Sequence, residues 1–572
     1  MKVSDYIAEI LVAKGIKSIF ELSGGMITHI LDSVSQNTDV HIISMHHEQA
    51  AAFAAEGYAR VTGTPGVALA TSGPGATNLL TGIGSCYFDS TPTIFITGQV
   101  NRHELKGDKG IRQLGFQETD IVSMAKPITK ACYQISNPDD IPAIFEEAFR
   151  ISLEGRPGPV LIDIPMDVQR AQISPAYPTQ KVFDFPEINQ EVLRSLVHDI
   201  SKALKPLILA GRGIKASNSQ ELFNTFVKRS QIPVITTLLG LDTIPYTDPL
   251  RVGFIGSYGN RWANMAFGDC DLLIVLGSRL DIRQTGADTD FIENRRIYHI
   301  DCEISEVNNR VKGCVPIISD LKTFFNDFVE FTSDTTFTSK IDWISCINNL
   351  RNTWPDTDEL KPKGINPNIF MHQLSRTSLK AKAYLADVGS HQMWAAQSLE
   401  ITESQSFLTS GGMGAMGFSL PAAIGACMAL DKMPVVVIIG DGCMQINIQE
   451  LQTIVRNKLP IKIIVLNNRT LGMIRQFQDS YFESRYQSTY WGYDAPDFAK
   501  VSIAYGIDAR TIENPADTQN ALEWLWSDIN VNQPQLLQVL IDPQTNTYPK
   551  IAFGRPITEM EPFAKPIEME GT

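Results

Sequence analysis

The sequence predicts an α/β protein built from three doubly wound, parallel-sheet domains. Three observations carry that expectation. Short runs of Val, Ile, Leu and Ala, each of strand length, recur along the chain and stop at turns of Gly, Ser, Asn or Asp. Helix-length stretches of small or amphipathic character lie between them, the alternation that βαβ units with parallel strands require. At 572 residues the chain exceeds what one core holds, and two polar stretches, 170–190 and 333–365, divide it. The expected domains are 1–165, 190–340 and 365–550, followed by a Pro- and Glu-rich tail, 551–572, expected to fold over a partner site.

In the first domain, Val3, Ile7, Ile10 and Leu11 mark one face of a helix. A strand at 19–22 ends at Ser23-Gly24-Gly25, and one at 40–45 ends at His46-His47-Glu48-Gln49 before a small-residue helix. A strand at 67–71 ends at Ser72-Gly73-Pro74-Gly75-Ala76-Thr77-Asn78, a turn that can open a helix and present its amides to a ligand. Another, 93–97, ends at Gly98-Gln99.

The central domain is read from strands at 206–209, 234–237, 272–276 and 298–301. The first ends at Gly211-Arg212-Gly213 and the third at Gly277-Ser278-Arg279-Leu280-Asp281-Ile282-Arg283. Glycine turns with arginines beyond them suit a nucleotide, although every doubly wound domain has some such turns. In the third domain a strand at 383–387 runs into Val388-Gly389-Ser390-His391-Gln392. A glycine-rich loop, 410–417, precedes a small-residue helix, and residues 475–491 are expected to be irregular and aromatic-rich before a last strand at 535–541.

The most informative stretch is 435–473. An apolar β-branched run breaks at Gly440-Asp441-Gly442, an amphipathic helix is expected from 446 to 455, and a second apolar run breaks at Asn467-Asn468. Both breaks fall at the carboxyl ends of parallel strands, where open α/β sheets bind ligands. Asp441 and Asn468 are oxygen donors of the kind Mg²⁺ takes, with phosphate oxygens and water completing its shell. The glycines let a diphosphate approach the backbone. Either turn alone is commonplace. Together, each ending a strand of one sheet, they are far more specific.

These residues resemble the thiamine diphosphate (ThDP) enzymes, and the resemblance to the acetohydroxyacid (acetolactate) synthases and their carboligase relatives runs over nearly the whole chain, in order. It implies that Asp441, Asn468 and the carbonyl of Thr470 hold Mg²⁺. Glu48, in H-E-Q ahead of A-E-G-Y-A-R and T-S-G-P-G-A-T-N, then corresponds to the glutamate that hydrogen-bonds the aminopyrimidine and activates the coenzyme. That role needs a poorly solvated carboxyl able to share a proton with a weakly basic ring. Met416, in G-G-M-G-A-M-G-F, corresponds to the apolar wedge that bends the coenzyme. Further coenzyme contacts are implied for Ser72, Gly73, Asn78, Ser390, His391, Gly414, Gly440, Gly442, Cys443 and Met473. The central domain resembles a FAD-binding domain, which implies FAD contacts from Arg156, Gly211, Arg212, Gly213, Thr237, Leu238, Gly256, Gly277, Ser278, Arg279, Asp281, Arg283, Asp301 and Asp320. Some relatives hold ADP or nothing there, and the flavin of such synthases performs no net redox chemistry.

The implied activity is decarboxylation of pyruvate and transfer of the resulting two-carbon unit to an acceptor carbonyl, with Gln117 in the catalytic set and Phe116, Gln117, Arg283 and Phe477 on the substrate side. Because Glu48 and the Asp441 edge belong to different domains, the resemblance also implies active sites shared between two chains of a homo-oligomer. The departures lie toward the acceptor. Phe477 stands where branched-chain synthases have Trp, Met166 where they have Lys, and the loop between Val100 and Phe116 is longer and charged. These favour a ketone or nucleotide-linked keto-sugar acceptor, as in YerE-type carboligases. A second pyruvate as acceptor, a non-catalytic ThDP-fold scaffold, and relatives of oxalyl-CoA decarboxylase or sulfoacetaldehyde acetyltransferase are the alternatives.

The 49 Lys and Arg against 63 Asp and Glu leave a net charge of −14, which sets aside nucleic acid and anionic membrane as main partners. Acidic side chains interrupt the first residues where a secretory signal needs an apolar core. No apolar run reaches the ~18 residues of a membrane span. Eight cysteines without a C-x-x-C pair read as buried thiols of a cytoplasmic protein.

Overall fold

A computed structural model describes residues 1–174, 185, 187–286 and 295–567. It contains three parallel six-stranded sheets in chain order. The first holds β1 (Ser18–Leu22), β2 (His41–Ser44), β3 (Gly66–Ala70), β4 (Thr93–Gln99), β5 (Ala131–Gln134) and β6 (Pro159–Pro165), in the order β2-β1-β3-β4-β6-β5. The second holds β7 (Pro206–Ala210), β8 (Val234–Thr236), β9 (Arg251–Phe254), β10 (Leu272–Leu276), β11 (Arg296–Asp301) and β12 (Val315–Ile318), in the order β12-β11-β10-β7-β8-β9. The third holds β13 (Ala383–Ala386), β14 (Ser406–Thr409), β15 (Val435–Gly440), β16 (Ile461–Asn467), β17 (Asp508–Ile512) and β18 (Gln535–Leu540), in the order β14-β13-β15-β16-β18-β17. Every strand pair within these sheets is parallel, so helices cover both faces and the inner strands are buried along their length.

The first and third sheets share a core. The Glu48–Thr62 helix lies against the Ser419–Ala429 helix at backbone contact distance. A Cβ added at Gly57 would stand 2.1 Å from the Ala422 carbonyl oxygen, and one at Gly425 1.8 Å from that of Ala54. Phe53 and Phe418 close the same seam edge to face, with ring centroids 5.5 Å apart. No helix among the described residues is long and apolar enough to cross a membrane.

Several expected elements are corrected. The helix placed at 446–455 is two helices, Asp441–Ile446 and Glu450–Arg456. Asn447 separates them, donating its side-chain amide to Gly417 O at 2.8 Å. The stretch from 475, expected to be irregular, begins inside a helix, Gly472–Tyr481. Its buried face is polar, Arg475 and Gln476, and so has no apolar stripe to read. Arg475 is neutralised by Asp479, with Asn546 also accepting from it. The polar stretch 333–365 contains the Ile341–Thr353 helix, anchored by Trp343 and Ile347 one turn apart. The linker expected at 170–190 lies in good part outside the described residues. In the tail, described to residue 567, the carbonyls of Met560 and Glu561 accept from Arg261 of the central domain, whose guanidinium lies 4.8 Å from the Phe563 ring centroid; these contacts do not bear on the expected partner site.

Candidate active site

Two sites can be built from these elements. In the third sheet, the register pairs Gly440 with Leu466, so the turns that end β15 and β16 are neighbours. Asp441 opens its helix directly, and its carboxylate is 3% exposed. Burial pushes this carboxyl up to about 7, since its hydrogen bonds, among them one from Tyr493 Oη at 3.2 Å, only partly offset desolvation. A carboxylate so poorly compensated is a ready ligand for a divalent cation, which would restore its charge. Asn468 is 6% exposed, and its side-chain oxygen accepts the Thr470 N–H at 3.2 Å. Thr470 is held in turn by a hydrogen bond from its hydroxyl to Thr489 O at 2.8 Å.

The same turn gathers residues from elsewhere in the third domain. A Cβ on Gly440 would stand 2.7 Å from His391 Nδ1, and one on Gly472 would stand 2.8 Å from Asn468 Nδ2 and 3.0 Å from Ser390 Oγ. The hydroxyl of Ser390 and Nε2 of His391 are buried with no hydrogen-bond partner among the described residues. Burial pushes His391 down to about 4, so it is neutral and can donate or accept. Two unpaired buried polar atoms beside a glycine-lined strand end and a raised carboxyl fit a diphosphate and its metal. Cys443 is buried and bonds Val388 O at 3.0 Å. The thioether of Met416 reaches this turn, its Cε 3.4 Å from where a Gly442 Cβ would be, and Gly414 supplies the left-handed φ of +65° that the loop needs. Met473 packs partly buried against the sheet's apolar core. Tyr493 was not anticipated, because a lone tyrosine in an irregular stretch gives no spacing signal.

In the first domain Glu48 opens its helix and is 6% exposed. Asn78 donates to its Oε2 at 2.9 Å, and the Thr71–Gly75 turn lies on its other side. Ser72 Oγ is buried without a partner among the described residues, and Gly73 takes φ +63° against Gln117. Gln117 itself sits at φ +65°, a costly conformation for a non-glycine residue that is often found at functional sites. Phe116 beside it is 79% exposed. Glu48 has no hydrogen bond or ion pair to Asp441 or Asn468. Phe477 lies with Tyr481 and Phe482 in an aromatic cluster at the C-terminal end of the Gly472–Tyr481 helix.

The second site is a cleft of about 1310 Å³, counted out to its open mouth, between all three domains. Arg156, Arg212, Gly213, Thr237, Leu238, Gly256, Gly277, Ser278, Arg279, Asp281, Arg283, Asp301 and Asp320 all line it. Gly211 does not line it. A Cβ there would stand 2.3 Å from Gly277 O, so this glycine serves the packing of two strand-end turns. Asp320 uses both carboxylate oxygens to cap its helix through Thr323. Arg156 reaches over from the first domain to Glu303 at 3.0 Å and Glu306 at 2.6 Å. Arg212 Nε has no partner among the described residues, and burial, then the neighbouring Arg60, pushes the guanidinium down to about 10. Asp301, at the end of β11, is buried and pushed up to about 6, leaving a carboxyl able to meet hydroxyl groups. A half-buried guanidinium with an unpaired Nε, strand-end glycines and a strand-end aspartate fit a nucleotide. Phe88, Asp89, Met393, Gly411 and Gly412, contributed by the outer two domains, also line the cleft and were not anticipated.

Comparison with known proteins agrees with this arrangement. Residues 1–124 match the thiamine pyrophosphate enzyme N-terminal TPP binding domain, 193–328 the central domain, and 387–539 the C-terminal TPP binding domain. The chain is 36% identical to the acetolactate synthase large subunit of Lactococcus lactis, covering 97% of this chain and 95% of that one. It is 37% identical to a probable acetolactate synthase large subunit of Methanocaldococcus jannaschii, covering 100% and 96%. It is 35% identical to the acetolactate synthase isozyme 2 large subunit of Escherichia coli, covering 98% and 99%. The chain therefore belongs to the thiamine pyrophosphate enzymes, as a ThDP-dependent enzyme of the acetolactate synthase type.

Proposed function

We propose that the protein decarboxylates pyruvate and joins the two-carbon unit to a second 2-keto acid, pyruvate first of all, in a site shared by two copies of the chain. The observation that carries this reading is the strand-end turn where Asp441, Asn468, Ser390 and His391 converge, in a chain whose full length aligns with acetolactate synthases. When bound, ThDP supplies an electron sink for cleavage of the bond to the carboxylate. Asp441, Asn468 and the Thr470 carbonyl would hold Mg²⁺, with His391 and Ser390 available to the diphosphate. Glu48, steadied by Asn78, holds a proton for the aminopyrimidine ring. Met416, whose thioether reaches the Asp441 turn, would supply an apolar surface against the bound coenzyme from the loop side. Phe116, Gln117 and Phe477 form the apolar and polar walls that exclude water and orient the acceptor. Arg283 is a bidentate partner for a carboxylate. The cleft between the domains takes FAD, through Arg156, Arg212, Gly213, Thr237, Leu238, Ser278 and Asp301.

A nucleotide-linked keto sugar as acceptor rests on the departures at Phe477, Met166 and the charged loop after Val100, and the relatives weigh against it. The test is incubation of the purified protein with ThDP, Mg²⁺ and pyruvate. Carbon dioxide and acetolactate are expected in step. Carbon dioxide without acetolactate until another ketone is added would overturn the choice of acceptor. Acetyl phosphate formed on adding phosphate would instead place the protein with the acetyltransferases.

A further inference from the structure

Asp89 stands between the two sites. It follows the Leu80–Phe88 helix, is 1% exposed, and lines the cleft. Its Oδ2 accepts the Gly411 N–H at 2.9 Å and its Oδ1 the Gly412 N–H at 2.6 Å. Those amides begin the loop whose far end is Met416, at the Asp441 turn. Within the loop, the Ala415 N–H donates back to Ser410 Oγ at 3.1 Å. The glycines are seated closely: a Cβ at Gly411 would stand 2.8 Å from the Leu239 side chain, and one at Gly412 2.8 Å from Phe88. Leu239, Phe88, Gly411 and Gly412 are themselves cleft wall. Arg60 completes the anchor, 3.8 Å from Asp89 and donating to Thr409 O at 2.6 Å. One loop is therefore a wall of the nucleotide cleft at one end and part of the coenzyme site at the other.

We propose that Asp89 is a positioning residue that couples the cleft to the coenzyme site by holding the 410–416 loop, so that a dinucleotide and ThDP bind cooperatively. This rests on the assignment of the two sites given above. A carboxylate whose two oxygens each take one amide permits a single loop geometry. A dinucleotide packed against Leu239 and Gly411 restrains the same loop, and less ordering is then left for ThDP to impose. Linkage makes the effect mutual: ThDP tightens the dinucleotide by the same factor.

The test uses full-length protein stripped of nucleotide. ThDP with Mg²⁺ is titrated by calorimetry with and without FAD, and FAD with and without ThDP; ADP replaces FAD in a parallel arm. In the wild type FAD is expected to tighten ThDP by roughly 5- to 150-fold, and ThDP to tighten FAD equally. Asp89→Asn keeps the shape but turns an NH₂ donor toward an N–H donor. It is expected to weaken ThDP roughly tenfold, as loss of a charged hydrogen bond does, and to bring the coupling factor close to one. Gly411→Ala, whose added Cβ would meet the Leu239 side chain at 2.8 Å and so moves the loop from its other side, is expected to do the same and serves if Asp89→Asn fails to fold. Unchanged ThDP affinity and coupling in the folded variant, or a wild-type coupling factor of one, would overturn the proposal. A wild type that binds ThDP but neither FAD nor ADP would overturn the cleft assignment and the coupling with it. A wild type that binds FAD but not ThDP would strike the coenzyme assignment first.

Discussion

Glu48 and Asp441 show how differently two buried carboxylates are prepared. Both open helices, but Glu48 has a side-chain amide donor, Asn78, whereas Asp441 has a tyrosine hydroxyl and backbone amides. The first is placed to handle a proton and the second to meet a cation. Glu48→Gln is expected to lower pyruvate decarboxylation by roughly 10²- to 10⁴-fold, the range of general acid–base assistance, while ThDP still binds. Equal rates in mutant and wild type, measured by carbon dioxide release, would remove Glu48 from the mechanism. Chelation of divalent cations is expected to abolish the reaction and added Mg²⁺ to restore it, and Asp441→Asn to make that restoration far weaker.

Helices and turns position these groups by close approach. The Glu48–Thr62 and Ser419–Ala429 helices touch through Gly57 and Gly425, so their backbones lie closer than side chains would allow. Gly57→Ala is a contest of two effects. Helix propensity alone favours alanine by ~1 kcal/mol. A Cβ 2.1 Å from the Ala422 oxygen forces a backbone shift costing ~1–3 kcal/mol, and this second effect is expected to win. A lower denaturant midpoint is the expected result, and a higher one would mean that the two helices are not in backbone contact. Of the six strands in these sheets that the sequence did not announce, five, β5, β9, β12, β14 and β17, are sheet edges; the sixth, β6, is an inner strand whose apolar run is broken by Asp163 and ends in Pro165. Edge strands are short and half wet, so they carry polar residues, glycine or proline that blur the apolar run.

Across the domains, the connection between the second and third sheets is fastened by His372. Its ring bridges Glu400 at 2.8 Å and Asp356 at 2.9 Å, Asp356 lying in the connection itself. Burial alone would lower its pKa, but the two carboxylate hydrogen bonds outweigh it and the net shift is upward. A raised folded-state pKa means that the folded form binds the proton more tightly. The stabilisation is then fully present below the unfolded value near 6.5 and is lost as pH rises through the folded value. His372→Gln is expected to cost ~1–3 kcal/mol at pH 6 and less at higher pH; thermal melts of both proteins across that range would test it, and a pH-independent difference would count against the bridge. Light scattering is expected to give a dimer or larger species for the active protein. A fully active monomer would rule out a site shared between chains.

Strand-ending glycines and Asp441 with Asn468 were legible without coordinates, because a period of alternation and a turn at a strand's carboxyl end are local properties of the chain; the H-E-Q stretch stood out only through its resemblance to the ThDP enzymes. The three-sheet architecture followed from the same alternation. Folding was needed to bring Ser390, His391 and Gly472 onto the Asp441 turn, to add Tyr493, and to place Asp89, Gly411 and Gly412 in the wall of a cleft otherwise read from the central domain. These contacts join residues tens to hundreds of positions apart, and no spacing encodes them; they exist only because parallel sheets set successive strand ends side by side and helices seat one domain on another.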